Sequence, residues 1–153
     1  MSKTDSLHYK LCCEGAKWLK NLPWKGMLYE AVELVTQSHE LTDVWATNGC
    51  SSWVIEVKTS LNDFHNDKNK IARKDCYSRL ACGNFRYYLA PHGMIPLDEI
   101  PDEWGLLEWD GEGIVVAKEA KEIDAGNYGD LVIMCSLMRR NGIGKRMFNY
   151  RNR

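Results

Sequence analysis

The sequence predicts a mixed α/β domain, and three observations carry the prediction. Two β-rich runs flank Asn48-Gly49, a strong signal for a hairpin between antiparallel strands. A helical stripe over 60–82 separates the second run from a third, Phe85 to Ala90, which makes a strand-helix-strand crossover. An amphipathic N-terminal segment supplies a further helix to cover the sheet.

Leu7, Leu11, Ala16, Trp18, Leu19 and Leu22 recur at spacings near three and four, so a helix is expected over 5–21, closed by Pro23. Met27 to Val35 is rich in large apolar residues and reads as the first strand. Leu41 to Ala46 and Trp53 to Lys58 follow as the hairpin strands and complete a meander with it. Leu61, Phe64, Lys68, Ile71, Ala72, Cys76 and Leu80 trace the stripe of the 60–82 helix, with Ser60-Leu61-Asn62-Asp63 as its cap. Beyond Phe85 to Ala90, the segment holding Pro91, Gly93, Pro96 and Pro101 is a loop. Trp104 to Trp109 and Ile114 to Lys118 are strands joined through Asp110-Gly111-Glu112-Gly113, and 128–140 is a final helix.

At 153 residues, 44% hydrophobic and 27% charged, the chain reads as a single domain, 1–153, able to bury a core, and not as a disordered or fibrous protein. No apolar run approaches the ~20 residues of a membrane helix, and Met1 to Lys10 is too polar for a signal peptide, so a cytoplasmic protein is expected. The six cysteines contain no C-x-x-C pair. Neither zinc nor a disulfide framework is expected, and most of the thiols read as buried small hydrophobes.

The net charge of −1 conceals a polarised chain: residues 98–130 carry −9, residues 131–153 carry +6, and residues 1–97 carry +2. The basic tail from about 139, beginning with Arg139 and Arg140, is the best electrostatic footprint for nucleic acid; a solubilising end is the competing account. Lys68, Lys70, Arg73, Lys74 and Arg79 make the 60–82 helix basic, which suits phosphate and helix dipole alike. His65 and His92 lack metal-type spacing and read as surface or loop residues. Tyr87, Tyr88, Trp104 and Trp109 lie in expected strands, where core packing outranks base stacking.

Chemistry gathers at the hairpin. Alternation along Trp53 to Lys58 places Glu56 and Lys58 on one face. Glu-x-Lys occurs twice, the second time as Glu119-Ala120-Lys121, so the tripeptide alone says little; its bland reading is a surface ion pair worth ~0–1 kcal/mol. Asp43 sets the first apart. A two-residue turn pairing Thr47 with Cys50 puts Asp43 opposite Val54 and diagonal to Glu56, on the same face. Two such carboxylates repel unless one is protonated or a cation lies between them, and Mg²⁺, with Mn²⁺ as a substitute, suits two carboxylates and the Val57 carbonyl. Lys58 then has a use, to orient or deprotonate an attacking water and to offset charge growing on a phosphate.

Thr42-Asp43, twelve intervening residues and Glu56-Val57-Lys58 together resemble the PD-(D/E)XK nuclease signature, with Thr42 where the pattern has proline. A longer composite is similar to the MmcB-type DNA-repair family and to uncharacterised phage and mobile-element relatives. It runs from Glu56 through Asp63, Phe64, Asp67 and Lys68 to Phe85-Arg86-Tyr87-Tyr88-Leu89-Ala90-Pro91, then Pro101 and Trp104-Gly105-Leu106-Leu107. The resemblance covers roughly 28–122. It implies a restriction-endonuclease-like core in which Asp43 and Glu56 bind Mg²⁺ and Lys58 serves the nucleophilic water. It implies DNA as substrate, in repair, recombination or phage DNA processing. Asp63 and Asp67 fall in the pattern as supporting acids around Lys58 or the metal; helix N-terminal acids are the plainer account of both.

An additional acid often joins such sites, and Glu14, Glu30 and Glu33 are its candidates, with Glu30 preferred. Alternation keeps Glu30 and Glu33 on opposite faces unless a bulge intervenes. Lys68, Lys70, Arg73, Lys74, Arg139 and Arg140 are the expected phosphate contacts. Two other readings stay open: a DNA-binding or structure-sensing module that does not cut, and a protein-interaction domain whose acidic 98–130 block meets a basic partner. The oligomeric state, a homodimer included, is left open.

Overall fold

The computed structural model describes residues 6–23, 26–27, 29–36, 40–67, 81–124 and 126–143. Helix α1 (Leu7–Lys20) starts at Ser6, whose hydroxyl accepts the Tyr9 N–H at 3.1 Å, and buries Leu11, Cys12, Ala16 and Leu19. Strands β1 (Tyr29–Val32), β2 (Val44–Thr47) and β3 (Ser52–Val57) are followed by helix α2 (Leu61–Asp67) and strand β4 (Phe85–Pro91). Strands β5 (Gly105–Trp109) and β6 (Ile114–Lys118) and helix α3 (Tyr128–Arg140) complete the described elements. The expected 60–82 helix is seen as α2, with the Ser60 hydroxyl accepting the Asp63 N–H; residues 68–80 lie outside the described residues.

The strands form one six-stranded sheet in chain order. β1, β2 and β3 make the antiparallel meander, β3 to β4 is the parallel crossover, β5 continues parallel to β4, and β6 returns antiparallel. Alternation on β3 sorts the layers: Trp53, Ile55 and Val57 pack with α1, while Val54 packs with Trp45 and Ile133 of α3. Phe64 of α2 shares this second face with Tyr88, Trp104 and Leu106. The result is a sheet between α1 on one side and α2 and α3 on the other, a mixed α/β architecture with a restriction-endonuclease-like core.

Three expectations need correction. The first strand is four residues, Tyr29–Val32, because Glu33 takes a positive φ of 45° and breaks the extended run. The hairpin has a four-residue loop. Asn48 Oδ1 accepts the N–H groups of Cys50 and Ser51 at 2.9 and 2.8 Å, and Thr47 Oγ1 donates to the Ser51 carbonyl at 2.7 Å. Thr47 therefore pairs with Ser52 and Val44 with Ile55, two residues out of the expected register, and the ladder ends before Asp43. Among the described cysteines only Cys12 and Cys82 are buried; Cys13 is half-buried and Cys50 and Cys135 are exposed.

Candidate metal and nucleic-acid site

The site lies where β3 and β4 reach their carboxyl ends, the usual place for ligands on open α/β sheets. β2 begins at Val44, which leaves the Val57 N–H without a strand partner there. The Asp43 side chain takes that place: its Oδ2 accepts the Val57 N–H at 2.8 Å. Asp43 is thus fixed by the hairpin as a cap on the strand end. The same oxygen is 3.5 Å from Nε2 of His8 on α1.

Glu56 and Lys58 stand on the other side of β3, buried with Tyr88. Lys58 Nζ is 3.1 Å from Asp67 Oδ1 and 3.9 Å from Glu56 Oε2. Tyr88 Oη donates to the remaining Asp67 oxygen at 3.0 Å. The parallel register sets Glu56 beside Tyr88, which is how β4 supplies this hydroxyl. The end of β3 thus carries Asp43 on the Val57 N–H and, on its other side, Glu56 beside Lys58.

The two supporting acids part company. Asp67 is buried on Lys58, while Asp63 is exposed at the start of α2. Of the additional acids, Glu30 is not brought to the site: it is exposed, pairs across to Ala46, and has Lys20 at 4.0 Å. Glu14 is held by Lys17 at 2.7 Å. Glu33 is the acid that arrives, its Oε1 3.5 Å from His8 Nδ1, and its N–H donates to the Asp43 carbonyl at 2.7 Å.

His8 and Cys12 escape a search for C-x-x-C pairs, but their His-x-x-x-Cys spacing puts both side chains on one side of α1. Their nearest atoms, Nδ1 and Sγ, are 3.7 Å apart. Burial, reinforced by the charges of Asp43 and Glu33, pushes the Cys12 thiol far above its ordinary value, so it is no free nucleophile.

Of the expected phosphate contacts, Lys68, Lys70, Arg73 and Lys74 lie outside the described residues. Arg139 and Arg140 are exposed at the end of α3, Arg140 donating to the Val35 carbonyl at 2.7 Å. His65 and His92 are exposed and pair with Glu99 and Glu108.

The model of the family described as DNA repair protein MmcB-like matches residues 21–130. The chain belongs to the MmcB-like family. That match spans the meander, the crossover and the β5–β6 hairpin, and with them Asp43, Glu56, Lys58 and Asp67. A solved protein of unknown function from Silicibacter pomeroyi is similar in fold, with a TM-score of 0.61 and 19% identity over 95% of this chain and 99% of its own. No curated protein sequence matches. Among the described residues, no helix is long and apolar enough to cross a membrane.

Proposed function

We propose that this MmcB-like chain is a Mg²⁺-dependent deoxyribonuclease acting in DNA repair, recombination or phage DNA processing. The observation that carries the reading lies at the end of β3, where Asp43 Oδ2 accepts the Val57 N–H at 2.8 Å and the Lys58 ammonium is 3.9 Å from Glu56 Oε2. Asp43, Glu56 and the Val57 carbonyl would hold Mg²⁺, or Mn²⁺ in its place. When bound, the ion supplies Lewis acidity to a phosphodiester and lowers the cost of making hydroxide from water. Lys58 offsets the charge that grows on the phosphate, and Asp67 with Tyr88 holds that ammonium in position. Arg139 and Arg140, with Lys68, Lys70, Arg73 and Lys74, would contact the DNA backbone, a salt-sensitive and sequence-independent interaction.

The test is digestion of linear, circular and branched DNA with Mg²⁺ or Mn²⁺, against a chelator control. Metal-dependent cutting by the wild type, abolished by Asp43→Ala and by Lys58→Ala, is the expected result; equal cutting by the variants would refute the assignment. One observation favours a second reading, a DNA-binding module that does not cut: Lys58 is only 3% exposed and already committed to Asp67. Salt-sensitive DNA binding by the wild type with no cutting on any of these substrates would decide for it.

A further inference from the structure

We propose that His8, Cys12 and Asp43 form a site for a thiophilic divalent cation of the Zn²⁺ class, on the α1 side of the sheet. One ligand atom from each of the three lies within 4.8 Å of the others. One edge is short, 3.5 Å from His8 Nε2 to Asp43 Oδ2, while Cys12 Sγ lies 3.7 Å from the other ring nitrogen, Nδ1. A tetrahedral ion with bonds of ~2.0–2.3 Å holds its ligands ~3.3–3.7 Å apart, so the His8 Nε2–Asp43 Oδ2 edge already has the spacing of such a site.

Donor chemistry selects the class. An imidazole and a sulfur favour Zn²⁺ or its softer relatives over Mg²⁺, whose donors are oxygens. Glu33 Oε1, 3.5 Å from Nδ1, supplies the carboxylate that commonly fixes a ligating imidazole and leaves Nε2, beside Asp43, for the ion. Glu33 is also the only non-glycine residue with positive φ among the described residues, a backbone strain located at this imidazole. Cys12 is buried and closes the floor, while His8 and Asp43 are partly exposed and give the ion a way in. Three protein ligands leave a coordination position open. The inference does not depend on the nuclease reading, although both use Asp43.

The experiment is a Co²⁺ titration of the reduced full-length protein, followed by the thiolate-to-cobalt charge-transfer band in the near ultraviolet and reversed with Zn²⁺. A saturable band is expected, lost in Cys12→Ser and retained in Glu56→Gln, which removes a proposed Mg²⁺ ligand. His8→Gln should weaken cobalt binding by at least about tenfold. No band in the wild type, a band that survives Cys12→Ser, or one lost in folded Glu56→Gln would overturn the proposal. If Cys12→Ser does not fold, His8→Gln decides, and undiminished cobalt affinity there overturns it. Failure to cut DNA leaves this optical result untouched, so the two readings fail separately.

Discussion

Lys58 and Asp67, nine residues apart in sequence, meet inside the protein, with Nζ 3.1 Å from Oδ1 and neither side chain more than 3% exposed. The contact ties the residue just beyond β3 to helix α2, which follows it. Tyr88 closes the other side of Asp67 from β4. Strand, helix and parallel neighbour thus share one buried charge, and the position of the Lys58 amine is a property of the core.

Removing Asp67 leaves the buried ammonium without its nearest partner. Asp67→Ala should cost about 3–5 kcal/mol. Tyr88→Phe removes only a hydrogen bond to a charged group and should cost about 1.5–3 kcal/mol. Urea unfolding of the three proteins checks this through the midpoints at constant slope; a Tyr88→Phe loss equal to or larger than that of Asp67→Ala would show that Asp67 is not what holds Lys58.

A second buried pair behaves in the same way at the other end of β4. Arg86 is fully buried, pairs with Glu40, donates to the Cys82 carbonyl at 2.6 Å and lies 4.6 Å from the Trp104 ring centre. Glu40→Ala should destabilise by about 3–5 kcal/mol, while the double change Glu40→Met with Arg86→Met should recover much of that, because the unpaired charge is then gone. Calorimetry of the single and double variants tests the cycle, and additive losses would argue against direct coupling.

Gly105 fits where no side chain does. A Cβ there would stand 2.3 Å from the Tyr87 ring and 2.7 Å from the Lys118 carbonyl oxygen. Gly105→Ala should therefore cost about 1–3 kcal/mol or more through overpacking. Gly113→Ala, with open space around its Cβ position, should stay within about 0.5 kcal/mol of wild type. Comparable midpoints for the two variants in thermal unfolding would contradict this packing.

The fold class was legible because periodicity carries it: apolar spacing marked α1 and the 60–82 helix, alternation marked β3, and the helix between β3 and β4 marked the parallel crossover. Register was not legible. It depends on Asn48 and Thr47 side chains accepting and donating within the loop, and the Asn-Gly pair suits a two-residue turn as readily as a four-residue one. Spacing and the resemblance single out Asp43, Glu56 and Lys58, but spacing does not rank Glu14, Glu30 and Glu33, and His8, which comes from a helix far away in sequence, shows only through its contacts with Glu33 and Asp43.

Asp130 gives the protein a predictable pH response. Burial raises its pKa, opposed by hydrogen bonds from Trp45, Ser52 and the Gly83 N–H. A carboxyl whose pKa is raised by folding binds its proton more tightly in the native state, so its contribution to stability is present at low pH. That contribution is lost as pH rises from the ordinary aspartate range through the raised value. The stability of wild type relative to Asp130→Asn should accordingly fall with rising pH across that window and level off above it. Denaturation midpoints of both proteins along a pH series read the difference, and a difference that grows with pH would reverse the assignment.

Glu33 should show a conflict between stability and function. Its φ of 45° places a residue with a Cβ in the left-handed region, at a cost of roughly 1–2 kcal/mol that glycine avoids. Its contact with His8 is 3.5 Å and partly exposed, worth ~0–1 kcal/mol. Glu33→Gly should therefore stabilise the fold by about 1 kcal/mol, while Glu33→Ala, which loses the contact and keeps the strain, should be neutral or slightly destabilising. If the strain serves to aim the carboxylate at His8, both variants should lose the same fraction of metal affinity despite their opposite effects on stability. Paired unfolding and metal-binding measurements on the two variants check this, and metal affinity that instead followed stability would mean that the backbone, and not the carboxylate, positions His8.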